Sequence, residues 1–259
     1  MAGVMKVKDE VSVVTTSMNY GQYLVDNIES VANQRTNFRY RLHHIVTDGG
    51  SEDETPQLLE QYSKAYPHIY YEINLGEGQT EALNHAMRII ETKFPKTNVL
   101  GWLNADDYYT PQWLQSTIEV LRAEPKVAVV YGNHGQVGLP NDRQQAADIK
   151  TQQRSQRGKS YVHVNNMKRG NMVCQPTVLI RMSAFEVIKE KYGYWFNPNR
   201  QFAQDVDLWA RFLVEGYQIC KIPVVTAILR RHPKRMTHRI RPQQKAEGDA
   251  IRAWLRRVA

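Results

Sequence analysis

Two adjacent carboxylates, Asp106 and Asp107, follow the apolar run "NVLGWL" at residues 98–103. Like charges repel, and a divalent cation held by carboxylate oxygens would offset that repulsion. The alternative is a plain turn, because Asp is common in turns and helix caps. Taken alone, the pair favours the turn. Its position after an apolar strand, with another acid after a neighbouring strand, favours metal or ribose binding.

That other acid is Asp48, in the turn "DGGSEDET". On its own it is interpreted as a solvated turn residue. A carboxylate only accepts hydrogen bonds, so in a binding crevice it suits the imide N–H of uracil or thymine and fits cytosine badly. The first strand–helix turn, "TTSMNYGQY", contains no G-x-G-x-x-G motif, so a nucleotide bound there needs another partner for its phosphates. A cation on the acid pair would supply that partner.

Two later segments carry further candidates for catalysis or metal binding. Asp205 and Asp207 lie near a helix start in "QDVDLWARF". One of these carboxylates either caps the helix or acts as a general base. His232 and His238 follow the last extended segment in a basic tail. A lone histidine is usually structural or exposed, but either one could complete a carboxylate metal site.

Strands alternate with helices through the first half of the chain. β-Branched and apolar runs predict strands at residues 11–15, 42–47, 68–73, 98–103 and 127–131, with apolar residues at helical spacing between them. This alternation predicts an α/β fold, a single Rossmann-like domain whose mostly parallel central sheet is flanked by helices. Ligands bind outside the carboxyl ends of such strands, where Asp48 and the acid pair both fall.

Composition and charge narrow the classes of function. The chain has 259 residues and a net charge of +8. It contains only two cysteines, which predicts that there is no disulfide framework and that the protein works in a reducing, cytosolic setting. No apolar run approaches the roughly 20 residues of a membrane span. The positive charge is concentrated late, so we expect anionic lipid or a phosphate-bearing ligand as a partner, and no nucleic acid. The apolar stripe at residues 251–258 either packs against the domain or contacts an anionic membrane.

Seven segments, taken in order and spacing, resemble family 2 glycosyltransferases. They are "VSVVTTSMNYGQYL", "HIVTDGGSEDET", "GEGQTEALNHAM", "GWLNADDYYTPQWL", "VVYGN", "CQPTVLIR" and "QDVDLWARF". The resemblance covers about residues 10–232 and is closest in character to the bacterial branch that builds surface polysaccharides. It implies the GT-A fold and transfer from a nucleotide-sugar donor with inversion at the anomeric carbon.

The resemblance also implies a role for each residue that matches the family pattern. Asp48 would bind the donor base, and Asp205 would be the catalytic base. Asp107 would ligate the metal, Asp106 would approach ribose or metal, and His232 would be a further metal ligand. The implied nucleotide-sugar site is completed by Thr15, Thr16, Ser17, Asn19, Gly76, Gly78, Gln79 and Asn104.

The sequence departs from the family pattern at three places. Asn104 replaces the first acid of a strict D-x-D motif, Gly49 the second acid of the common D-D-G-S turn, and Gln204 a glutamate that often precedes the base. Of these, Asn104 bears most directly on the metal geometry.

The resulting prediction is a metal-dependent inverting glycosyltransferase domain over residues 1–259. About 10–131 would bind the donor and about 132–232 the acceptor, with a mobile loop at 138–160 and a basic tail or helix at 233–259. The expected cofactor is Mn²⁺ or Mg²⁺, the donor a UDP- or dTDP-linked sugar, and the acceptor a glycan or lipid-linked glycan in polysaccharide biosynthesis. The expected location is the cytoplasm or the inner face of the membrane. A sugar nucleotidyltransferase and a non-catalytic nucleotide-sugar-binding module are the alternatives.

Overall fold

The central element of the fold is a mixed β-sheet. The computed structural model describes residues 9–73, 78–138, 158–233, 235 and 240–259. Its strands are β1 (Asp9–Ser17), β2 (Tyr40–Asp48), β3 (Ile69–Ile73), β4 (Val99–Asn104), β5 (Tyr108–Tyr109), β6 (Val127–Val137), β7 (Ser160–Tyr161), β8 (Val178–Arg181) and β9 (Gln218–Arg230). Its helices are α1 (Gly21–Ala32), α2 (Thr55–Ala65), α3 (Gln79–Lys93), α4 (Trp113–Ala123), α5 (Val164–Met167), α6 (Met182–Tyr192), α7 (Gln204–Val214) and α8 (Arg241–Val258).

Most strands run in one direction. The sheet order is β3-β2-β1-β4-β8-β6-β9-β5, and β7 pairs with β9. β1 is parallel to β2 and β4, and β2 is parallel to β3. β8 is antiparallel to both β4 and β6, and β9 is parallel to β6. The strands β1, β2, β3, β4, β6 and β9 therefore point the same way, and the predicted mostly parallel α/β sheet is confirmed.

Helices cover both faces of the sheet. Alternate residues of a strand point to opposite faces. In β1, Val11 and Val13 belong to a core shared with α4, whereas Val14 belongs to a core shared with α3, α6, α7 and α8. The helices α1 and α2 pack with β2 and β3 in a third core. Because both faces are buried, the strands are near-continuous apolar runs in the sequence.

Gly101 lets two aromatic rings pack directly on β4. Tyr109 and Trp113 are stacked, with their ring centroids 3.7 Å apart. A Cβ atom on Gly101 would lie 2.7 Å from the Trp113 ring and 2.9 Å from the Tyr109 hydroxyl oxygen. Because glycine has no side chain, β5 and the start of α4, which follow the acid pair, can pack directly against β4.

The sheet has a topological switch point between β1 and β4. From β1 the chain adds β2 and then β3 on one side, and β4 on the other. A crevice forms outside the carboxyl ends of the strands at such a switch point. Thr16 of β1 is in register with Asn104 of β4. Ser17 and the pair Asp106 and Asp107 therefore meet at one crevice.

The second half of the chain contains elements that the sequence pattern did not indicate. β5, β7 and α5 are short, and β6 continues to Val137, beyond the predicted end at residue 131. Residues 139–157 of the predicted loop lie outside the described residues. Ile251 and Leu255 of α8 are buried in the core that contains α7, and Trp254 packs against it, so these residues of the C-terminal stripe pack on the domain, whereas Val258 is exposed. In the described parts of the chain, no helix combines the length and the apolar character needed to cross a bilayer.

Candidate active site

A cleft of about 600 Å³ opens at the carboxyl ends of β1 and β4. Its walls come from β1, β4, α3, α7 and the C-terminal segment. Eight of the predicted site residues line it: Thr16, Ser17, Gly78, Gln79, Asn104, Asp106, Asp107 and Asp205. The fold thus brings the predicted base and the acid pair to one cavity.

Asp106 and His232 are in contact although they lie 126 residues apart in the sequence. His232 Nε2 is 3.0 Å from Asp106 Oδ2, and both side chains are nearly buried. The imidazole packs against the rings of Tyr20 and Tyr23, with centroid distances of 5.8 and 4.7 Å. Within the described residues, His232 Nδ1 has no hydrogen-bond partner. The two aromatic rings therefore hold an imidazole beside the acid pair.

The carboxylate of Asp107 is buried and held by its neighbours. Oδ1 accepts the backbone N–H of Arg230 at 3.1 Å, and Oδ2 accepts Asn104 Nδ2 at 3.4 Å. Burial, and after it the adjacent charge of Asp106, raise the pKa of Asp107 well above its usual value. Arg235, which lines the same cleft, acts to lower that pKa. A positive charge in the cleft therefore favours the ionised form of Asp107.

Asp205 lies in the first turn of α7. Its Oδ2 accepts Asn171 Nδ2 at 3.0 Å. Burial raises the pKa of Asp205 to about 6, although hydrogen bonds from Asn171 and from the backbone N–H groups of Val206 and Asp205 act to lower it. A carboxyl group with a pKa near 6 is ionised at pH 7 and is still basic enough to accept a proton.

Asp207, the second acid of the same segment, forms a structural ion pair. Its carboxylate receives Arg211 Nε at 2.7 Å and Asn197 Nδ2 at 3.2 Å, and Arg200 Nε lies 3.8 Å away. The Arg211 side chain is almost fully buried and also donates to the carbonyl of Trp195. The residue pattern alone did not distinguish the two acids, and the family resemblance favoured Asp205. In the structure Asp207 is paired with Arg211, whereas Asp205 lines the cleft.

Amide side chains link three walls of the cleft. Gln79 Nε2 donates to Thr16 Oγ1 at 3.2 Å, and Gln204 Nε2 donates to Gln79 Oε1 at 3.0 Å. A Cβ atom on Gly78 would lie 2.6 Å from Gln201 Oε1. The start of α3 is therefore in close contact with the segment before α7. Gly76, predicted for the same place, lies outside the described residues.

Three predicted nucleotide-binding residues are not among those that line the cleft in the described part of the chain. The carboxylate of Asp48 is buried and accepts the N–H groups of Gly50 and Ser51 at 3.1 and 2.7 Å, and the Ser51 hydroxyl at 2.6 Å. Thr15 is fully buried. Asn19, with φ +58°, donates its N–H to Ser51 Oγ at 2.7 Å. Asp48 and Asn19 shape the turns beside the cleft, whereas Thr15 is hydrogen-bonded within the sheet region to Asn27 and His44. Contacts of these three residues with a base stay predictions.

The donor atoms near the acid pair suit a hard divalent cation. Among the described residues, no three or more His, Cys, Asp and Glu side chains form a metal-binding group. Asp106 and Asp107 nevertheless provide carboxylate oxygens, the ligand type that suits Mn²⁺ and Mg²⁺. The imidazole of His232, beside Asp106, is a softer donor. The raised pKa of Asp107 fits a positive charge at this place, because a nearby cation favours the ionised carboxylate. His232 touches Asp106 through Nε2 but is not among the residues that line the cleft. His238, the other candidate, lies outside the described residues.

Two arginines near the acid pair were not predicted from the sequence. Arg230 donates to the Asp106 carbonyl at 3.4 Å and is paired with Asp26. Its guanidinium carbon lies 5.0 Å from the centre of the Tyr108 ring. Arg235 lines the cleft. Both belong to the basic run near the end of the chain, whose charge indicated an anionic partner but not which residues face the site.

Comparison with known protein families gives a match over most of the chain. The model of the family described as "Glycosyl transferase family 2" matches residues 12–189. Among curated proteins, the minor teichoic acid biosynthesis protein GgaA of Bacillus subtilis is 28% identical over 109 residues. That alignment covers 42% of this chain and 24% of GgaA, so the chain spans only a part of this relative's length.

Solved structures share the fold at low sequence identity. TarS 1–349 of S. aureus in complex with UDP superimposes with a TM-score of 0.64 and 16% identity, over 95% of this chain and 65% of that one. The mannosyltransferase PcManGT of Pyrobaculum calidifontis in complex with GDP-Man and Mn²⁺ gives a TM-score of 0.63 and 18% identity, over the same shares. Both support the GT-A type of α/β architecture for this chain.

Proposed function

The chain belongs to glycosyl transferase family 2, and on that premise we propose that it transfers a sugar from a nucleoside diphosphate sugar to an acceptor hydroxyl, with inversion at the anomeric carbon. One observation carries the proposal. Asp205, whose pKa burial raises to about 6, lines the same cleft as the carboxylates of Asp106 and Asp107. Inverting transfer in one displacement step requires a base for the acceptor hydroxyl and a group that binds the donor's diphosphate. Here Asp205 and the acid pair, through a bound cation, would supply them in one cavity.

Asp205 acts as the general base in this proposal. It accepts the proton of the acceptor hydroxyl as the oxygen attacks the anomeric carbon, and the bond to the donor's diphosphate breaks on the opposite face. The hydrogen bond from Asn171 orients the carboxylate without supplying a charge. Asp207 is not a candidate for this role because its carboxylate is committed to Arg211.

A divalent cation, Mn²⁺ or Mg²⁺, is the proposed cofactor. Asp106, Asp107 and His232 are the residues that would hold it, and PcManGT, which shares the fold, was solved with Mn²⁺. When bound, the cation supplies Lewis-acid stabilisation of the leaving diphosphate. Mg²⁺ usually keeps waters and substrate phosphates among its ligands, which suits a site where the protein offers few side chains. Arg235 adds positive charge to the same cleft.

The donor is proposed to be a UDP- or dTDP-linked sugar. The two structural neighbours carry UDP and GDP-Man respectively, so the shared fold accepts more than one base. In this chain Thr16, Ser17 and Gln79 line the side of the cleft formed by β1 and α3. The turn that follows β2, closed by Asp48, lies beside it and is proposed to meet the base.

The acceptor is proposed to be a glycan or a lipid-linked glycan in the synthesis of a surface polysaccharide. GgaA, a relative, is a teichoic acid biosynthesis protein. The net charge of +8, concentrated towards the end of the chain, suits a phosphate-bearing acceptor or an anionic membrane surface. A location in the cytoplasm, at the inner face of the membrane, follows from that pairing.

The test is a panel of nucleotide sugars, scored by protection of the protein from thermal unfolding, with and without Mn²⁺. We expect protection by one class of nucleoside diphosphate sugar, and stronger protection with Mn²⁺. Calorimetry of UDP binding measures the contribution of Mn²⁺ to UDP affinity separately. Equal UDP affinity with and without Mn²⁺ would contradict the proposal of a metal cofactor. Protection by no nucleotide sugar under either condition would contradict the proposed function itself.

A further inference from the structure

The side chain of Glu247, in α8, holds the three residues that lead into α7. Its Oε1 accepts the backbone N–H of Gln201 at 2.9 Å. Its Oε2 accepts the N–H groups of Phe202 and Ala203 at 3.0 and 2.9 Å. Ala203 is the N-cap residue of α7. One carboxylate thus binds three consecutive backbone donors in front of the helix that carries Asp205.

A carboxylate is well suited to this place. Of the three donors, the N–H of Ala203 belongs to the N-cap residue of α7 and is one of the helix's first N–H groups, which have no partner within the helix. The helix dipole also favours a negative charge at that end. Hydrogen bonds to an ionised acceptor are also about twice as strong as neutral ones. Replacement of Glu247 by an uncharged residue would therefore weaken the attachment of this segment.

The same segment is held from its other side by the start of α3. Gln204 Nε2 donates to Gln79 Oε1 at 3.0 Å. The hydroxyl of Thr80 donates to the carbonyl of Arg200. Residues 200–204 therefore lie between α8 and the donor side of the cleft, and Asp205 follows them directly.

We propose that Glu247 is a positioning residue for the sugar transfer: by fixing residues 201–203 it sets where Asp205 stands in the cleft. The inference rests on the proposed function, because it assigns Asp205 as the base. Glu247 is not among the cleft-lining residues and acts through the backbone of the segment that it binds. A helix that follows the family-matched region, residues 12–189, thereby becomes part of the catalytic unit.

A merely structural role for Glu247 leads to a different expectation. Ile251 and Leu255 already fix α8 in the core, where both are almost fully buried. If Glu247 only helped to hold α8, its removal would lower stability and leave the pH dependence of turnover unchanged. If it positions Asp205, its removal loosens residues 201–203, Asp205 becomes better hydrated, and the pKa of Asp205 falls towards the usual value of 3.8.

The experiment compares Glu247→Ala and Glu247→Gln with the wild type and with Asp249→Ala. Asp249 is the matched control, an exposed acid on the same helix that pairs only with its neighbour Arg252 among the described residues. We measure kcat, KM for the donor, the pH profile of kcat/KM, and hydrogen–deuterium exchange of residues 201–206. Exchange needs no turnover and therefore remains informative if no donor is consumed.

We expect Glu247→Ala to lower kcat by about 10²-fold, as a small displacement of a catalytic group does. Its acid limb should move to lower pH, and residues 201–203 should exchange faster. The kcat of Glu247→Gln, which keeps an acceptor oxygen, should lie between those of Glu247→Ala and Asp249→Ala, and this variant provides the test if the alanine variant does not fold.

Equal kcat and pH profile in the Glu247 and Asp249 variants would overturn the inference. If the wild type transfers no sugar, the proposed function fails, and unchanged exchange at residues 201–203 would then overturn the positioning role as well.

Discussion

Replacing Asp205 by Asn is the sharpest perturbation of the proposed reaction. The change removes the basic carboxylate and keeps the size of the side chain and an oxygen that can accept the hydrogen bond from Asn171. General-base catalysis contributes about 10²–10⁴-fold, which corresponds to about 2.7–5.4 kcal/mol of transition-state stabilisation at 1.36 kcal/mol per tenfold. We therefore expect kcat to fall by about 10²–10⁴-fold in Asp205→Asn, with the KM for the donor nearly unchanged.

The pH profile of the wild type tests the same residue independently. Burial raises the pKa of Asp205 to about 6 from the usual value of 3.8, so the protonated, inactive form persists to higher pH than in a solvated aspartate. Because the base acts as a carboxylate, kcat/KM should fall by about tenfold per pH unit below pH 6 and level off above it. In Asp205→Asn the residual activity should lose this acid limb.

The assay is release of nucleoside diphosphate from the donor between pH 4.5 and 8, with calorimetric measurement of UDP binding by each protein. Equal UDP affinity in the variant and the wild type would show that the loss lies in the chemical step. Near-normal turnover of Asp205→Asn would refute the assignment of Asp205. A wild-type acid limb close to pH 4 would contradict the effect of burial on its pKa.

Three further substitutions test the fold and the metal site. Gly101→Ala places a Cβ 2.7 Å from the Trp113 ring and should cost about 1–3 kcal/mol of unfolding free energy in urea, so unchanged stability would count against the packing described for β4. Arg211→Ala leaves the buried Asp207 without its closest cation and should cost about 3–5 kcal/mol in the same assay, and a loss below 1 kcal/mol would contradict a buried pair. Asp106→Asn should abolish the Mn²⁺-dependent part of UDP affinity in calorimetry and preserve the metal-free part, and a full Mn²⁺ effect in that variant would remove Asp106 from the ligand set.

The sheet could be predicted because its strands are marked by composition. β1, β2, β4 and the first half of β6 are runs of β-branched and apolar residues, which a sheet buried on both faces requires. β5 and β7 have two residues each, and the second half of β6, "GNHGQV", is polar. These strands form because long-range pairing with β9 supplies their hydrogen bonds. Such pairing cannot be predicted from the local sequence pattern.

The sequence indicated eight of the residues that line the cleft, but not the contacts that these side chains make with one another. Strand ends predicted that the acid pair would lie at the crevice, since the position depends only on topology. Which of the two acids meets His232 depends on side-chain direction after residue 104. Asp106 makes that contact, whereas Asp107, the firmer ligand on sequence grounds, is held by Arg230 and Asn104. The role of Glu247 could not be predicted, because nothing in the sequence distinguishes this acid from the solvated charges around it.

The most direct test of the account is to identify the products that the wild type and Asp205→Asn form from a panel of nucleotide sugars, with Mn²⁺ present, by anion-exchange chromatography. We expect the wild type to release a nucleoside diphosphate from one class of donor, and Asp205→Asn to do so about 10²–10⁴-fold more slowly. Release of pyrophosphate from a nucleoside triphosphate and a sugar phosphate would identify a nucleotidyltransferase instead. Binding of the donor without consumption by either protein would identify a binding module and contradict the account.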